Sequence, residues 1–96
     1  MMPVCRLGDT GMGHGCFPST NTTKASRNVI VNGLGACREG DTLAPHSCPD
    51  NGTHGRSISS GSSTVKVNGV GIARVLVDKI DCGGFIISGS PNVLAG

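Results

Sequence analysis

Histidine and cysteine occupy matched positions in this sequence of 96 residues, as metal ligands in a repeat protein would. His54 begins the segment His54–Val65, and Cys82 begins the segment Cys82–Val93, 28 positions later. Glycine, isoleucine, Ser-Gly-Ser and valine recur at the same places in both segments. Imidazole nitrogen and thiolate sulfur are preferred ligands of zinc. We therefore predict a small β-repeat protein whose copies bring such ligands together around one metal ion.

A second motif, which occurs twice, contains glycine, aspartate, threonine, histidine and cysteine in the same order. It runs from Gly8 to Cys16 and returns as Gly40–Cys48, 32 positions later. Glycine and proline next to its histidines predict loops at these positions. Asp9 and Asp41 are expected to accept hydrogen bonds from nearby backbone N–H groups, as aspartate commonly does in turns.

Two β-hairpins must position these residues. Val29–Arg38 recurs as Val65–Arg74, 36 positions later, and each copy has two alternating β-branched residues, then Asn-Gly, then a short apolar run. Asn-Gly supplies the two positive φ angles of a type I′ turn, so both segments are predicted to be hairpins. The valines expected to face the core are Val29, Val31, Val65 and Val67. Gly35 and Gly71 are expected where another backbone approaches closely.

The C-terminal part predicts the remaining repeat. Val75–Ser88 has the pattern of a strand, a tight turn and another strand, and the sequence ends at Gly96 as a third copy begins. We therefore expect two full hairpins and one truncated copy. Copies at a nearly fixed spacing indicate pseudo-symmetric units that bury a shared core.

Composition predicts a thin core that needs additional support. The chain has two Phe, no Trp and no Tyr, and small domains with little apolar burial often depend on a metal, disulfides or oligomerisation. Five cysteines are an odd number for a framework built only of disulfides, so metal ligation is expected for at least one. Most of the others are expected to be small buried apolar residues.

Charge and hydropathy exclude several classes of protein. A net charge of +2 without clustered Lys and Arg argues against nucleic-acid binding. No apolar run is long enough for a membrane span, and the N-terminus lacks the pattern of a secretory signal. We therefore expect a protein that is made in the cytoplasm, or that leaves it without a cleavable signal.

Taken together, these motifs resemble PAAR-repeat proteins over nearly the whole chain. The resemblance is carried by the strand, Asn-Gly turn and Ala-Arg of Val67–Arg74, and by the Cys-Gly-Gly of Cys82–Gly84. The Pro-Ala-Ala-Arg sequence itself is absent, and Gly35–Arg38 and Gly71–Arg74 occupy its place. The resemblance implies a mainly β fold, namely a small conical pseudo-threefold repeat of short β-hairpins pinned by a metal ion. It is expected to form a single domain over residues 1–96, without an effector extension.

The same resemblance implies a structural function and no enzymatic activity. PAAR-repeat proteins cap the trimeric β-helical spike of type VI secretion systems and contractile phage tails. One copy per trimer is expected to sharpen the spike and pierce a target membrane, without a stable membrane span of its own. The expected location is the tip of a bacteriophage tail, or outside the cell after secretion by a contractile system that needs no signal. The base of the tip is expected to present Ile86, Ile87, Val93 and Leu94 to the spike.

Two alternative functions remain. One is an adaptor that links a separate effector protein to the spike. The other is a small metal hydrolase, which is disfavoured because the sequence contains neither HExxH nor a nucleophile elbow.

The resemblance also implies a ligand set of three histidines and one cysteine for Zn²⁺, although iron is compatible with the same donors. The implied ligands are His14, His46, His54 and Cys82. Four protein ligands would fill a tetrahedral shell, which is typical of a structural site. The alternative ligand set, taken from the repeated motif, is a Cys₂His₂ site comprising His14, Cys16, His46 and Cys48.

Overall fold

Short β-strands are the only regular elements of the computed structural model, which describes all residues from Met1 to Gly96. The strands are β1 (Met2–Pro3), β2 (Thr10–Gly11), β3 (Thr20–Asn21), β4 (Ile30–Val31), β5 (Leu34–Gly35), β6 (Thr42–Cys48), β7 (Gly52–Ser57), β8 (Lys66–Val67), β9 (Val70–Gly71) and β10 (Leu94–Ala95). No helix of a length and hydropathy suited to crossing a bilayer is present.

The two hairpins predicted from Asn-Gly are confirmed. β4 pairs with β5, and β8 pairs with β9, both antiparallel. Asn32 and Gly33 have φ angles of 54° and 81°, and Asn68 and Gly69 have nearly the same values, 55° and 80°. Positive φ at both central residues defines the type I′ turn, whose twist matches that of the flanking strands.

The third hairpin joins the two ends of the chain. β10 pairs with β1, so that Met2 lies opposite Ala95 and Pro3 lies opposite Leu94. The prediction of a truncated third copy was therefore wrong, because the N-terminal strand supplies its returning arm. Two-residue strands separated by most of the sequence carry no local signal of their pairing.

A ring of backbone hydrogen bonds ties the three hairpins around one axis. The amide of Cys5 donates to Ala73 at 2.9 Å, the amide of Ala73 donates to Cys37 at 3.0 Å, and the amide of Cys37 donates to Cys5 at 3.0 Å. All three residues are fully buried. The cyclic pattern confirms the predicted mainly β, pseudo-threefold arrangement. The body is elongated, with principal extents of 39 × 23 × 23 Å.

Each repeat follows its ring residue with an arginine paired to a buried aspartate. The pairs are Arg6–Asp9 at 2.9 Å, Arg38–Asp41 at 2.9 Å and Arg74–Asp78 at 2.8 Å. In each repeat, the aspartate also accepts a hydrogen bond from the backbone N–H of its arginine. The backbone role predicted for Asp9 and Asp41 is thus confirmed. The ion pairs, and the third member at Asp78, were not predicted.

Two apolar clusters lie along the axis. The three ring residues belong to one cluster, and the residue before each of them in the sequence belongs to the other. The hairpin cluster comprises Val4, Val31, Ala36, Val67, Ile72 and Ala95. The central cluster comprises Cys5, Cys37, Leu43, Ile58, Ala73, Val75, Ile80 and Ile86. The expectation that Ile86 is exposed for docking was therefore wrong, because its side chain is completely buried.

The prediction for the four hairpin valines was half right. Val31 and Val67 are buried, but Val29 and Val65 are each 37% exposed. These two precede their strands, and their amides donate to Ser26 and Ser62 hydroxyls instead of joining the ladder.

Close backbone approach at the two glycines after the turns is confirmed. A Cβ on Gly35 would lie 2.3 Å from the carbonyl oxygen of Ser26, and one on Gly71 would lie 2.4 Å from that of Ser62. The strand predicted on each side of a turn within Val75–Ser88 is absent, because this segment makes only single bridges such as Lys79 with Phe85.

Candidate metal centre

The longest hairpin places two imidazoles side by side. β6 pairs with β7 so that His46 lies directly opposite His54, and their Nε2 atoms are 2.6 Å apart. The prediction that His46 lies in a loop was wrong. Pro45, which has no N–H to donate, is accommodated where the register shifts between Leu43 and His46.

A tight turn presents the third imidazole from the N-terminal part of the chain. His14 and Phe17 exchange backbone hydrogen bonds of 3.0 and 2.9 Å, and Gly13 allows this because a Cβ there would meet the Phe17 carbonyl oxygen at 2.2 Å. The centroid of the His14 ring lies 4.8 Å from that of His46 and 5.3 Å from that of His54.

A glycine turn presents the thiol. The amide of Gly83 donates to Ile80 at 2.9 Å, and the φ angles of Gly83 and Gly84 are 117° and 93°, which favour glycine. The Cys82 sulfur consequently lies 3.7 Å from Nε2 of His46. One potential ligand atom from each of His14, His46, His54 and Cys82 lies within 4.8 Å of the other three.

Two imidazole nitrogens of this cluster have the properties that a metal ligand needs. Nε2 of His14 is buried without a hydrogen-bond partner. Nδ1 of His46 lies 2.8 Å from the carbonyl oxygen of Pro18. Because a carbonyl can only accept, Nδ1 carries a proton, which leaves Nε2, on the side of His54 and Cys82, as the nitrogen that could bind a metal.

The size of the cluster also fits a small tetrahedral ion. Zinc–nitrogen bonds of about 2.0–2.1 Å and a zinc–sulfur bond of about 2.3 Å place tetrahedral ligand atoms roughly 3.3–3.6 Å apart. In the cluster, Nε2 of His46 lies 2.6 Å from Nε2 of His54 and 3.7 Å from the sulfur of Cys82, and no two of the four ligand atoms are more than 4.8 Å apart. These distances bracket the tetrahedral values. The donor set of three nitrogens and one sulfur suits a borderline-soft ion such as zinc.

Electrostatics favours the neutral form of His14. Removal from water lowers the pKa of the His14 imidazole, and the neighbouring His46 and His54 lower it further. A neutral imidazole is the form that binds a metal.

A disulfide lies directly beyond the cluster and excludes the rival ligand set. Cys16 and Cys48 form a disulfide with a Cα–Cα distance of 5.7 Å, so neither sulfur is available as a thiolate. Each is two residues beyond a clustered histidine, and the Asn51 amide donates to both sulfurs at 3.4 and 3.5 Å.

The two remaining cysteines, Cys5 and Cys37, are fully buried free thiols. The hydrogen bond to Cys37, together with burial, raises the pKa of Cys5, which keeps it a thiol. These two fit the expectation of small buried residues.

Arg56 was missed by sequence reasoning, although it supports the histidine loop. Its guanidinium is buried and donates to the Gly11 carbonyl at 3.3 Å, to the Thr20 hydroxyl at 2.8 Å and to the Met12 carbonyl. These bonds fasten the segment that leads into His14 onto β7. The only signal in the sequence was that Arg56 lies two residues after the candidate ligand His54.

Phe17 was missed as well. Its ring packs against all three imidazoles, with centroid distances of 5.1 Å to His14, 4.9 Å to His46 and 4.5 Å to His54. It therefore shields one side of the cluster from water.

The architecture and the cluster together define a class of small β-repeat proteins with a potential metal site at one end. The family described as PAAR motif matches residues 18–88, more than two thirds of the sequence, and the chain therefore belongs to the PAAR-motif family. The PAAR motif points to spike-tip proteins of contractile injection systems, and the family is structural and not catalytic. No curated protein matches this chain.

Proposed function

We propose that this protein caps a trimeric β-helical spike of a contractile injection machine, with one copy per trimer. The observation that carries the proposal is the hydrogen-bonded ring of Cys5, Cys37 and Ala73. It allows a single chain to present three similar hairpins around one axis. Such an end is complementary in symmetry to a partner with a true threefold axis.

The hairpins supply the docking face. We define this face by its exposed apolar side chains at the hairpins, which are Met1, Val29, Ile30, Leu34, Val65, Val70, Val93 and Leu94. Val93 and Leu94 belong to the residues expected for docking from the sequence. An apolar face of this kind is typical of a surface that a partner covers.

At the opposite end, we propose that His14, His46, His54 and Cys82 bind one Zn²⁺ ion. Four protein ligands leave no open position for a substrate or an activated water, so the ion would be structural. Such an ion would make this end of the molecule rigid. The site gives no support to the alternative of a metal hydrolase.

The disulfide supports a location outside the cytoplasm, because such bonds persist mainly in oxidising compartments. A protein at the tip of a phage tail, or one delivered across a target membrane by a contractile system, would meet these conditions. The adaptor alternative has no specific observation in its favour.

The test is association of the purified chain with a trimeric β-helical spike protein, measured by light scattering after gel filtration. One copy per trimer is expected. Ile30→Asp should abolish binding, because it places a charge on the docking face, whereas Ser47→Asp in β6 should leave binding unchanged. Absence of association at micromolar concentrations would refute the proposal.

A further inference from the structure

One cleft opens at the boundary between the first two hairpins. Its volume is about 540 Å³, and it is the only cavity in the structure. The residues that line it are Lys24, Ala25, Arg27, Asn28, Arg38 and Asn68. Asn28 lies just before β4, and Asn68 lies in the turn between β8 and β9, so the cleft adjoins two of the three hairpins of the docking face.

The junction between the first and third hairpins has one contact that this boundary lacks. At the boundary of the first and third hairpins, Arg6 donates from Nη1 to Asn32 at 3.4 Å and from Nη2 to the Gly89 carbonyl at 3.1 Å. In the cleft, Arg38 makes the matching bond from Nη1 to Asn68 at 3.0 Å. It makes no bond to Ala25, the equivalent of Gly89. The second contact that closes one junction is therefore missing from the other.

The walls of the cleft carry positive charge without compensation. Lys24 and Arg27 are exposed and have no acidic group within ion-pair distance, whereas Arg38 is neutralised by Asp41. No aspartate or glutamate lines the cleft. The complementary ligand is therefore an anion.

A carboxylate of a protein fits the cleft better than a free phosphate. The fork of Arg38 formed by Nε and Nη2 is already occupied by Asp41, so Lys24 and Arg27 are the groups left to bind an anion. The cleft is also continuous with the apolar face that a protein partner is proposed to cover. An acidic side chain on that partner would reach Lys24 and Arg27 from the docked position.

We propose that this cleft receives an aspartate or glutamate side chain of the spike, and that this contact fixes the rotation of the tip about the spike axis. The inference rests on the proposed function. A threefold spike offers three identical acidic side chains, and the single cleft engages one of them. The apolar face would supply most of the affinity, and the cleft would supply register and salt dependence.

The test compares the double variant Lys24→Gln/Arg27→Gln with Lys79→Gln, which removes an exposed charge outside both the cleft and the hairpins. Affinity for the trimeric spike is measured at low and at high salt. Each exposed ion pair contributes about 1.4- to 5-fold in affinity, so the double variant should bind about 2- to 25-fold more weakly at low salt. Its salt dependence should be flatter, with one copy per trimer retained. Lys79→Gln should bind like the unmodified protein.

If the double variant bound with unchanged affinity and salt dependence while Ile30→Asp abolished binding, the cleft proposal would fail and the proposed function would stand. A second measurement separates the two ideas when no spike association is seen. A glutamate-containing peptide and inorganic phosphate are titrated separately while the backbone amide NMR signals of the cleft residues Ala25 and Asn28 are recorded. Shifts with the peptide that vanish in the double variant support a carboxylate site. Shifts with phosphate alone, or with neither probe, overturn it.

Discussion

The tip segment, defined as residues 44–55, should be held closed by two cross-links and hardly at all by apolar burial. Within it, only His46 and Cys48 have buried side chains. One cross-link is the Cys16–Cys48 disulfide, and the other is the proposed metal ion. The perturbation is to remove each cross-link alone, by Cys16→Ser or by chelation, and then both together.

The expected magnitudes are similar for the two cross-links. Cys16 and Cys48 are separated by 32 positions, and closing a loop of that length stabilises a fold by about 4 kcal/mol in the chain-entropy description. A metal at a free concentration about 1,000-fold above its dissociation constant adds about 4 kcal/mol. The whole domain, at about 0.05–0.15 kcal/mol per residue, is expected to have roughly 5–14 kcal/mol. Either cross-link alone should therefore keep the tip closed, and loss of both should open it.

Hydrogen exchange resolved along the chain measures this directly. In the chelated Cys16→Ser protein, amides of residues 44–55 should exchange far faster than in the metal-loaded parent. Amides of the ring, such as those of Cys5 and Ala73, should stay protected and serve as the internal control. Each single loss should lower the melting temperature by about 16–32 °C if unfolding is cooperative. Tip amides that stay fully protected after both cross-links are gone would refute the reasoning.

Three further predictions concern the ligands, the ion pairs and the glycines. His54→Ala and Cys82→Ser should each abolish the single bound metal ion found by elemental analysis, whereas Cys48→Ser should retain it; metal loss in Cys48→Ser alone would contradict the proposed set. Asp78→Asn should destabilise by about 3–5 kcal/mol in urea unfolding, because the carboxylate is 1% exposed and accepts four hydrogen bonds, from Arg74 and Ser60. Asp9→Asn should cost less, since its carboxylate is 9% exposed, and the reverse order would count against this explanation. Gly71→Ala should destabilise by about 1–3 kcal/mol because the added Cβ would meet the Ser62 carbonyl oxygen, while Gly55→Ala, which has open space, should be nearly neutral in the same assay.

The two internal hairpins could be predicted because their information is local. Asn32-Gly33 and Asn68-Gly69 specify a turn type whatever surrounds them, and the structure has the expected φ angles at each. The third hairpin could not be predicted, because Met2 and Ala95 are at opposite ends of the sequence and no turn motif connects their strands.

The candidate site was predictable in composition but not in geometry. The repeated phrases and the family resemblance named the four residues that the structure brings together. The prolines near His46 indicated a loop, yet tertiary pairing with β7 made this segment a strand. Pairing of Cys16 with Cys48 depends on the distance between a turn and the end of β6, which the spacing along the chain does not predict.

The fold explains why one end of the molecule is symmetric and the other is not. Three connecting segments leave the ring towards the tip, residues 7–25, 39–61 and 75–89, and only the second forms a hairpin of six- and seven-residue strands. Each segment nevertheless contributes at least one member of the cluster: His14 from the first, His46 and His54 from the second, and Cys82 from the third. A single ion bound there would tie together at the tip the same three repeats that the backbone ring ties together below it. With the unequal segments held by such an ion, the hairpins could match the proposed threefold partner without a symmetric core at the other end.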